Sequence, residues 1–160
     1  MEETFYFESR EKYIEALNSV LPEDYIQKRT IPNGTIEYIP APIKEATADK
    51  FFHYWNVIGE DYTLLVNELI CTVKLVFMPD YPGAEEHFCT GSAAVPVQMD
   101  RGASVAKFPA GKKTNALEYN LPAVRTEAIG NALNSLGNIF GRSLGRKINA
   151  RQKLPRDFKL

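Results

Sequence analysis

The stretch Asn120–Ile148, NLPAVRTEAIGNALNSLGNIFGRSLGRKI, constrains this chain more than any other. Its apolar residues Leu121, Val124, Ala128, Ala132, Leu136, Ile139, Phe140, Leu144 and Ile148 recur at steps of three and four, the period of an amphipathic helix. Asn120 is placed to cap that helix, and Pro122 falls in its first turn, where a missing N–H is no loss. Gly130, Gly137, Gly141 and Gly145 stand seven, four and four residues apart, so at about 100° per residue they share one narrow stripe. Each glycine destabilises a helix by about 1 kcal/mol relative to alanine, about 4 kcal/mol for the four. Close packing has to offset that, which makes the stripe a docking surface for a sheet or a neighbouring subunit. The alternative is a helix that breaks near Gly141. Beside the stripe, Asn131, Asn134, Ser135, Asn138, Arg142 and Arg146 form a polar strip with hydrogen-bonding capacity to spare.

The rest of the chain supplies partners for such a helix. Ser9–Leu21 reads as a short helix capped by Ser9, with Tyr13, Ile14, Leu17, Val20 and Leu21 on its apolar side. Pro32-Asn33-Gly34 marks a turn, Thr35–Pro40 a strand, and Pro42 opens a second helix over Ile43–Phe52. Aromatic residues then crowd together, with Trp55 read as a core anchor in preference to a base-stacking platform. Leu64–Met78 is the clearest strand: Leu69, Cys71, Val73, Leu75 and Phe77 alternate with a mixed face. Pro79–Gly83 is a tight connection, and Glu85–Val97 returns as an antiparallel strand. Asp100–Asn115 is a basic loop or hairpin carrying Arg101, Lys107, Lys112 and Lys113, and residues 146–160 form a basic tail. The expected architecture is α+β: short N-terminal helices, and an antiparallel sheet of three to five strands packed against a long helix from the C-terminal half.

A single domain spanning 1–160 follows from the length, and 44% hydrophobic with 24% charged residues is ordinary for a soluble globular chain. No apolar run approaches the roughly 20 residues of a membrane helix, and the acidic start is unlike a signal peptide, so the expected place is the cytoplasm, with no membrane partner. Cys71 and Cys89 fall in strand-like segments and read as reduced core residues. The net charge of −1 hides an asymmetry. Residues 1–100 hold 7 Lys/Arg and 17 Asp/Glu, a balance of −10; residues 101–160 hold 12 and 3, a balance of +9. Either the basic part binds nucleic acid, or the two halves pair electrostatically within or between subunits.

Signals of bond chemistry are poor. His53 and His87 lack metal-ligand spacing, and His87-Phe88-Cys89 offers two ligands at best. Ala106–Thr114, AKFPAGKKT, falls short of a phosphate loop: Ala106 stands in place of the first glycine and Lys113 in place of the metal-binding Ser or Thr. No nucleophile elbow or dinucleotide fingerprint is present, and Glu85-Glu86 reads as solvated strand edge. Binding is expected rather than turnover, with no catalytic residues, metal or cofactor.

Several segments, taken in order, resemble one family. Leu21-Pro22-Glu23-Asp24-Tyr25-Ile26-Gln27-Lys28-Arg29, Glu37-Tyr38-Ile39, Trp55, Arg125-Thr126-Glu127-Ala128, Phe140-Gly141-Arg142-Ser143-Leu144-Gly145 and Leu154-Pro155-Arg156 are similar to successive motifs of the Rad-fifty-two/Rad-twenty-two type single-strand annealing proteins. The resemblance spans nearly the whole chain, in the compact form that phages encode, without the eukaryotic C-terminal region. It implies a helix, a strand, a helix, an antiparallel sheet and a helix across it, assembled into rings. Single-stranded DNA would lie in a basic groove with its bases exposed, annealing in recombination and double-strand break repair without ATP. Partners on that reading are single-stranded DNA, further copies of the chain in a ring or filament, and an exonuclease or a host single-strand-binding protein.

The resemblance implies groove roles for Arg29 and Tyr38, and a second basic surface near the last helix, with Lys147 and Arg151 as nearest equivalents. Where the family has helix cations this chain has Asn134, Ser135 and Asn138, so phosphate contact there would use neutral hydrogen bonds. Lys107, Lys112 and Lys113 of the loop are candidates for the missing charge. Arg125, Arg142 and Arg146 complete the set of candidate DNA contacts. Two readings of other classes stand beside this one: an architectural oligomer whose charges serve only subunit contacts, and an enzyme acting on an anionic small molecule.

Overall fold

The structure is a computed structural model that describes residues 4–144; Gly145 and the basic tail, with Arg146, Lys147 and Arg151, lie outside the described residues. The described residues form an α+β fold with three helices and two antiparallel sheets. Helix α1 is Arg10–Leu17, capped by Ser9, whose Oγ accepts the Lys12 N–H at 3.4 Å. Strands β1 (Gln27–Ile31) and β2 (Gly34–Tyr38) form a hairpin about the Pro32-Asn33 turn, pairing Ile31 with Gly34 and Gln27 with Tyr38. Helix α2 is Ala41–Phe51, with Pro42 in its first turn. A meander follows: β3 (Phe52–Leu65), β4 (Glu68–Pro79) and β5 (His87–Pro96), in that order across the sheet. Helix α3 (Ala116–Asn134) crosses one face of the meander.

Alternation in β4 drives the packing. Leu69, Cys71, Val73, Leu75 and Phe77 are all buried, on the face that meets Val124, Ala128, Ala132 and Leu133 of α3. The helix sits unusually close because β5 has Gly91 beneath it. A Cβ there would strike the Ala132 backbone nitrogen and the Ala128 carbonyl, and would lie 2.7 Å from the Ala132 Cα. The close-approach glycine expected on the helix is therefore on the sheet, facing two alanines.

The long helix departs most from the sequence pattern. It ends at Asn134 rather than Ile148, and earlier than the break allowed for near Gly141. Its three glycines within the described residues meet three different neighbours. Gly130 leaves room for Ala41 of α2, whose Cβ would be 3.1 Å from an added methyl. Gly137 is extended, and a Cβ on it would lie 2.6 Å from the Leu17 carbonyl oxygen at the end of α1. Gly141 is at φ +92°, a left-handed conformation that suits glycine, and it packs on Ile39. Between them the single 3-10 turn Asn138–Phe140 sends Phe140, fully buried, into the rings of Phe51 and Phe52. The three-and-four spacing of Leu136, Ile139 and Phe140 marks burial there, reached by a folded-back turn. One more turn of helix would carry Phe140 away from those rings.

The start of α3 is also displaced. The helix begins after Asn115, and Asn120 is buried in its second turn. The Asn120 side chain donates to the Pro96 carbonyl at 3.1 Å and accepts from the Gln98 N–H at 3.4 Å, tying the helix to the end of β5. Pro122 is thus inside the helix, where it leaves the Glu118 carbonyl without its i+4 donor on a solvent-facing turn.

Leu64–Met78 proves to be two strands. The turn at Val66-Asn67 divides it, and the aromatic run before it is the first part of β3. The β3–β4 register shifts between Val57 and Gly59, a bulge that moves Glu60 and Tyr62 to the helix side. Trp55 packs against the core, and its Nε1 donates to Asp49 at 2.8 Å. Cys71 and Cys89 are free thiols. No helix among the described residues is long and apolar enough to cross a membrane.

Two stability experiments follow from this packing. Gly91→Ala should lower unfolding stability in urea by about 1–3 kcal/mol, since helix backbone must move. Gly59→Ala should change it by less than about 0.5 kcal/mol, its Cβ meeting only the Lys74 Cβ at 3.7 Å. The second concerns Lys44 of α2, 8% exposed, whose Nζ donates to the Gly130 carbonyl at 3.1 Å. Desolvation holds its pKa below the ordinary lysine value, partly countered by Glu127. In the alkaline window below that ordinary value the folded chain binds fewer protons than the unfolded one, so stability rises with pH there. Lys44→Met should abolish the rise and match or exceed wild-type stability at pH 7 in urea titrations.

Candidate nucleic-acid interface

The β1–β2 hairpin meets the rest of the molecule mainly at its root, where Ile39 is buried against Gly141. Strand alternation sorts its two faces. Gln27, Arg29, Ile36 and Tyr38 share one, and Lys28 and Glu37 the other. On the second face Lys28 pairs with Glu37 at 3.7 Å, beside a crevice also lined by Glu23, Asp24 and Ile26. On the first, the Arg29 guanidinium carbon stands 5.7 Å from the centre of the Tyr38 ring, within cation–π range. The Tyr38 hydroxyl donates to Gln27 Oε1 at 3.0 Å, which fixes the ring. Arg29 is exposed and makes no ion pair among the described residues. Arg29 and Tyr38, the two residues to which the resemblance gives groove roles, thus share one face of the hairpin.

Lys107, Lys112 and Lys113 belong to the loop between β5 and α3. Its base closes like a hairpin: Met99 bridges Lys112, Asp100 N donates to Gly111 O at 2.7 Å, and Lys113 N donates to Gln98 O at 3.0 Å. Lys107 and Lys113 are exposed and Lys112 half-buried, with no ion pair to any of them among the described residues. Arg101 is exposed on the same loop.

The remaining candidates are engaged differently. Arg125, on α3, donates through Nε to Glu60 Oε1 of β3 at 2.6 Å, and Glu60 also accepts from the Tyr62 hydroxyl at 3.0 Å. Much of the polar strip is taken up within the protein. Asn131 Nδ2 donates to Ser92 O at 2.9 Å, Ser135 Oγ to Ala132 O at 2.7 Å, and Asn138 Nδ2 to Asn18 O at 3.2 Å. Asn134 is half-buried beside Gly141, and Arg142 is exposed without an ion pair among the described residues.

Among the described residues the candidate cations without an ion pair thus form two groups. Arg142 and the hairpin root lie where α3 has ended; Lys107, Lys112 and Lys113 lie where it begins. Nineteen residues of helix separate these places by about 27 Å.

Sequence reasoning passed over one surface feature. Among the described residues no other element covers the meander face away from α3, and on it Lys74 Nζ stands 4.9 Å from the Phe88 ring centre. The signal was Lys74 itself, a charge out of phase with Cys71, Val73 and Leu75. No group of three His, Cys, Asp or Glu able to hold a metal ion occurs among the described residues. Burial pushes the Cys89 thiol up to about 11. Compared with known families and characterised proteins, the chain matches no family model and no curated protein.

The Arg125–Glu60 pair gives a testable pH dependence. Arg125 holds the Glu60 carboxyl below the ordinary glutamate range. The pair's contribution is therefore full above that range and lost as pH falls through the Glu60 value. Arg125→Ala should cost about 0–1 kcal/mol at pH 7 in urea titration, and the difference from wild type should vanish on acidification.

Proposed function

We propose that this protein is an oligomeric single-stranded-DNA-binding protein that anneals complementary strands in recombination and strand-break repair, without ATP and without bond chemistry. The observation that carries the reading is Arg29 over Tyr38: an exposed cation, without a carboxylate partner among the described residues, on a half-buried ring of a hairpin that meets the body mainly at its root. A phosphate can meet the guanidinium while the ring lines the same wall. The layout supports it as well. Helix, hairpin, helix, antiparallel meander and crossing helix keep the order that the resemblance implies, with a two-stranded hairpin where it implies a single strand. Arg29 lies on β1, Tyr38 on β2, Trp55 on β3 and Arg125–Ala128 on α3, so these four segments of the resemblance fall on elements in chain order.

Annealing on this reading is geometric. Two strands are held by their phosphates with bases free, and base pairing supplies the driving free energy. The loop lysines add phosphate contacts, and like subunits in a ring or filament repeat them along the strand. The setting is the cytoplasm of a cell, a bacterial host if the protein is of the phage type, with an exonuclease or host single-strand-binding protein as further partners.

The test mixes the protein with complementary oligonucleotides, without nucleotide or metal, and follows the pairing rate. Pairing should accelerate, and Arg29→Ala should lower single-strand affinity and rate at least several-fold with an unchanged melting temperature. Replacing Lys112 and Lys113 by alanine should weaken binding to all sequences alike and flatten the slope of log affinity against log salt by up to about 2 units. Wild-type protein with no salt-sensitive affinity for single-stranded DNA would overturn the reading. It would leave the architectural oligomer or the small-molecule enzyme.

A further inference from the structure

The two ends of the three-stranded sheet are both apolar and exposed, and they are opposite in charge. At one end the β3–β4 turn presents Leu64, Leu65 and Val66, which are 48%, 58% and 61% exposed. Val66 is held at φ +54°, a left-handed conformation that β-branched residues avoid and that glycine would adopt without strain. A side chain kept there at a backbone cost is a pointer to use. The basic loop adjoins this turn, since Val97 N donates to Asn67 O at 2.7 Å and Lys113 N to Gln98 O at 3.0 Å. Its four cations, Arg101, Lys107, Lys112 and Lys113, outnumber the neighbouring Glu68, Asp100 and Glu118, so the end is net positive.

At the opposite end Tyr6, Tyr54 and Phe88 are 71%, 41% and 57% exposed. Asp80, Glu85 and Glu86 surround them. Asp80 accepts from Tyr6 N at 3.1 Å and meets His53 Nδ1 at 3.1 Å, and Glu86 accepts from the Tyr54 hydroxyl. Lys50, at the close of α2, and Lys74, 4.9 Å from the Phe88 ring centre, offset two of the three charges and leave this end net negative by one. The 12 residues of β4 hold the two ends about 40 Å apart, so they cannot meet within one chain.

We propose that they meet between copies: the basic, aliphatic turn of one copy docks on the acidic, aromatic end of the next. The apolar side chains form the desolvated centre of the contact and the opposite charges its rim. Each copy presents both surfaces, so the contact is head-to-tail and propagates into a ring or filament instead of stopping at a dimer. The proposal rests on the oligomeric part of the function proposed above and gives it an interface.

Light scattering over a range of protein and salt concentrations tests it, with melting temperature and single-strand affinity measured on the same samples. Val66→Gly relieves the left-handed strain, so the melting temperature should hold or rise while the concentration needed for assembly increases at least about tenfold. Reversing Lys112 and Lys113 to Glu, or Glu85 and Glu86 to Lys, should each disperse the assembly, and combining both reversals in one chain should restore it. Assembly of Val66→Gly and of both charge reversals at wild-type concentration would overturn this interface and leave an oligomer built through other surfaces. A wild-type chain that stays at its monomer mass of 18.0 kDa yet anneals DNA would overturn the interface alone, leaving the DNA reading intact.

Discussion

Backbone against backbone is the contact on which this fold depends. α3 lies on β5 where Gly91 offers no side chain and the helix answers with Ala128 and Ala132. Small residues on both sides bring two hydrogen-bonded backbones together without a layer of side chains between them. Larger residues then pack on either side of the seam, Val124 toward one end of the helix and Leu133 toward the other, both buried against β4. Two asparagines fix the helix along its length, Asn120 at the Pro96 carbonyl and Asn131 at the Ser92 carbonyl. With α3 set in place, its end delivers Phe140 to the rings of Phe51 and Phe52, which joins the helix, α2 and the sheet in one core.

Much of the architecture was legible in the residues, and the misreadings share a cause. Alternation in β4 was plain because one face is apolar and buried, and periodicity reports burial directly. β3 was missed because it is an edge strand whose residues beyond Phe52 are largely exposed, so burial imposes no period on them. The over-long helix came from the same source. Residues 136, 139 and 140 are spaced as in a helix because they face one core, yet the chain reaches it through a turn between two glycines. Glycine spacing showed that close contacts were needed. It could not show that three glycines serve three separate neighbours, because that depends on elements distant in sequence. At the candidate site, the Pro32-Asn33-Gly34 turn and the strand that carries Tyr38 were legible; the strand that carries Arg29 was not, being exposed along most of its length, and the partner of Arg125, 65 residues away, left no local mark.

The distribution of charge gives the proposed mechanism its shape. No single basic face holds all the candidate cations. One group is a cation on an aromatic ring, suited to hold a strand in a defined orientation; the other is a loop of lysines, suited to attract phosphate with little geometric demand. A strand touching both would have to span the length of a helix on one subunit, or pass from one subunit to the next. Repetition of subunits makes the second route available at every step. In such an arrangement assembly and strand affinity are thermodynamically linked, each strengthening the other.

Among the described residues the meander ends on two strands without an outer neighbour, β3 and β5, and this has a consequence for how the chain behaves when crowded. Each outer strand offers a ladder of free N–H and C=O groups to any extended peptide that drifts alongside. β3 is interrupted by its bulge at Val57–Gly59 and bears Glu60 and Asp61 just beyond it, and β5 closes on Pro96. Those features sit outside the core and add little to folding stability, yet they govern whether newly made chains remain separate or zip together edge to edge. Selection for solubility at high expression would therefore act first on a kink, two carboxylates and a proline, leaving the buried residues untouched.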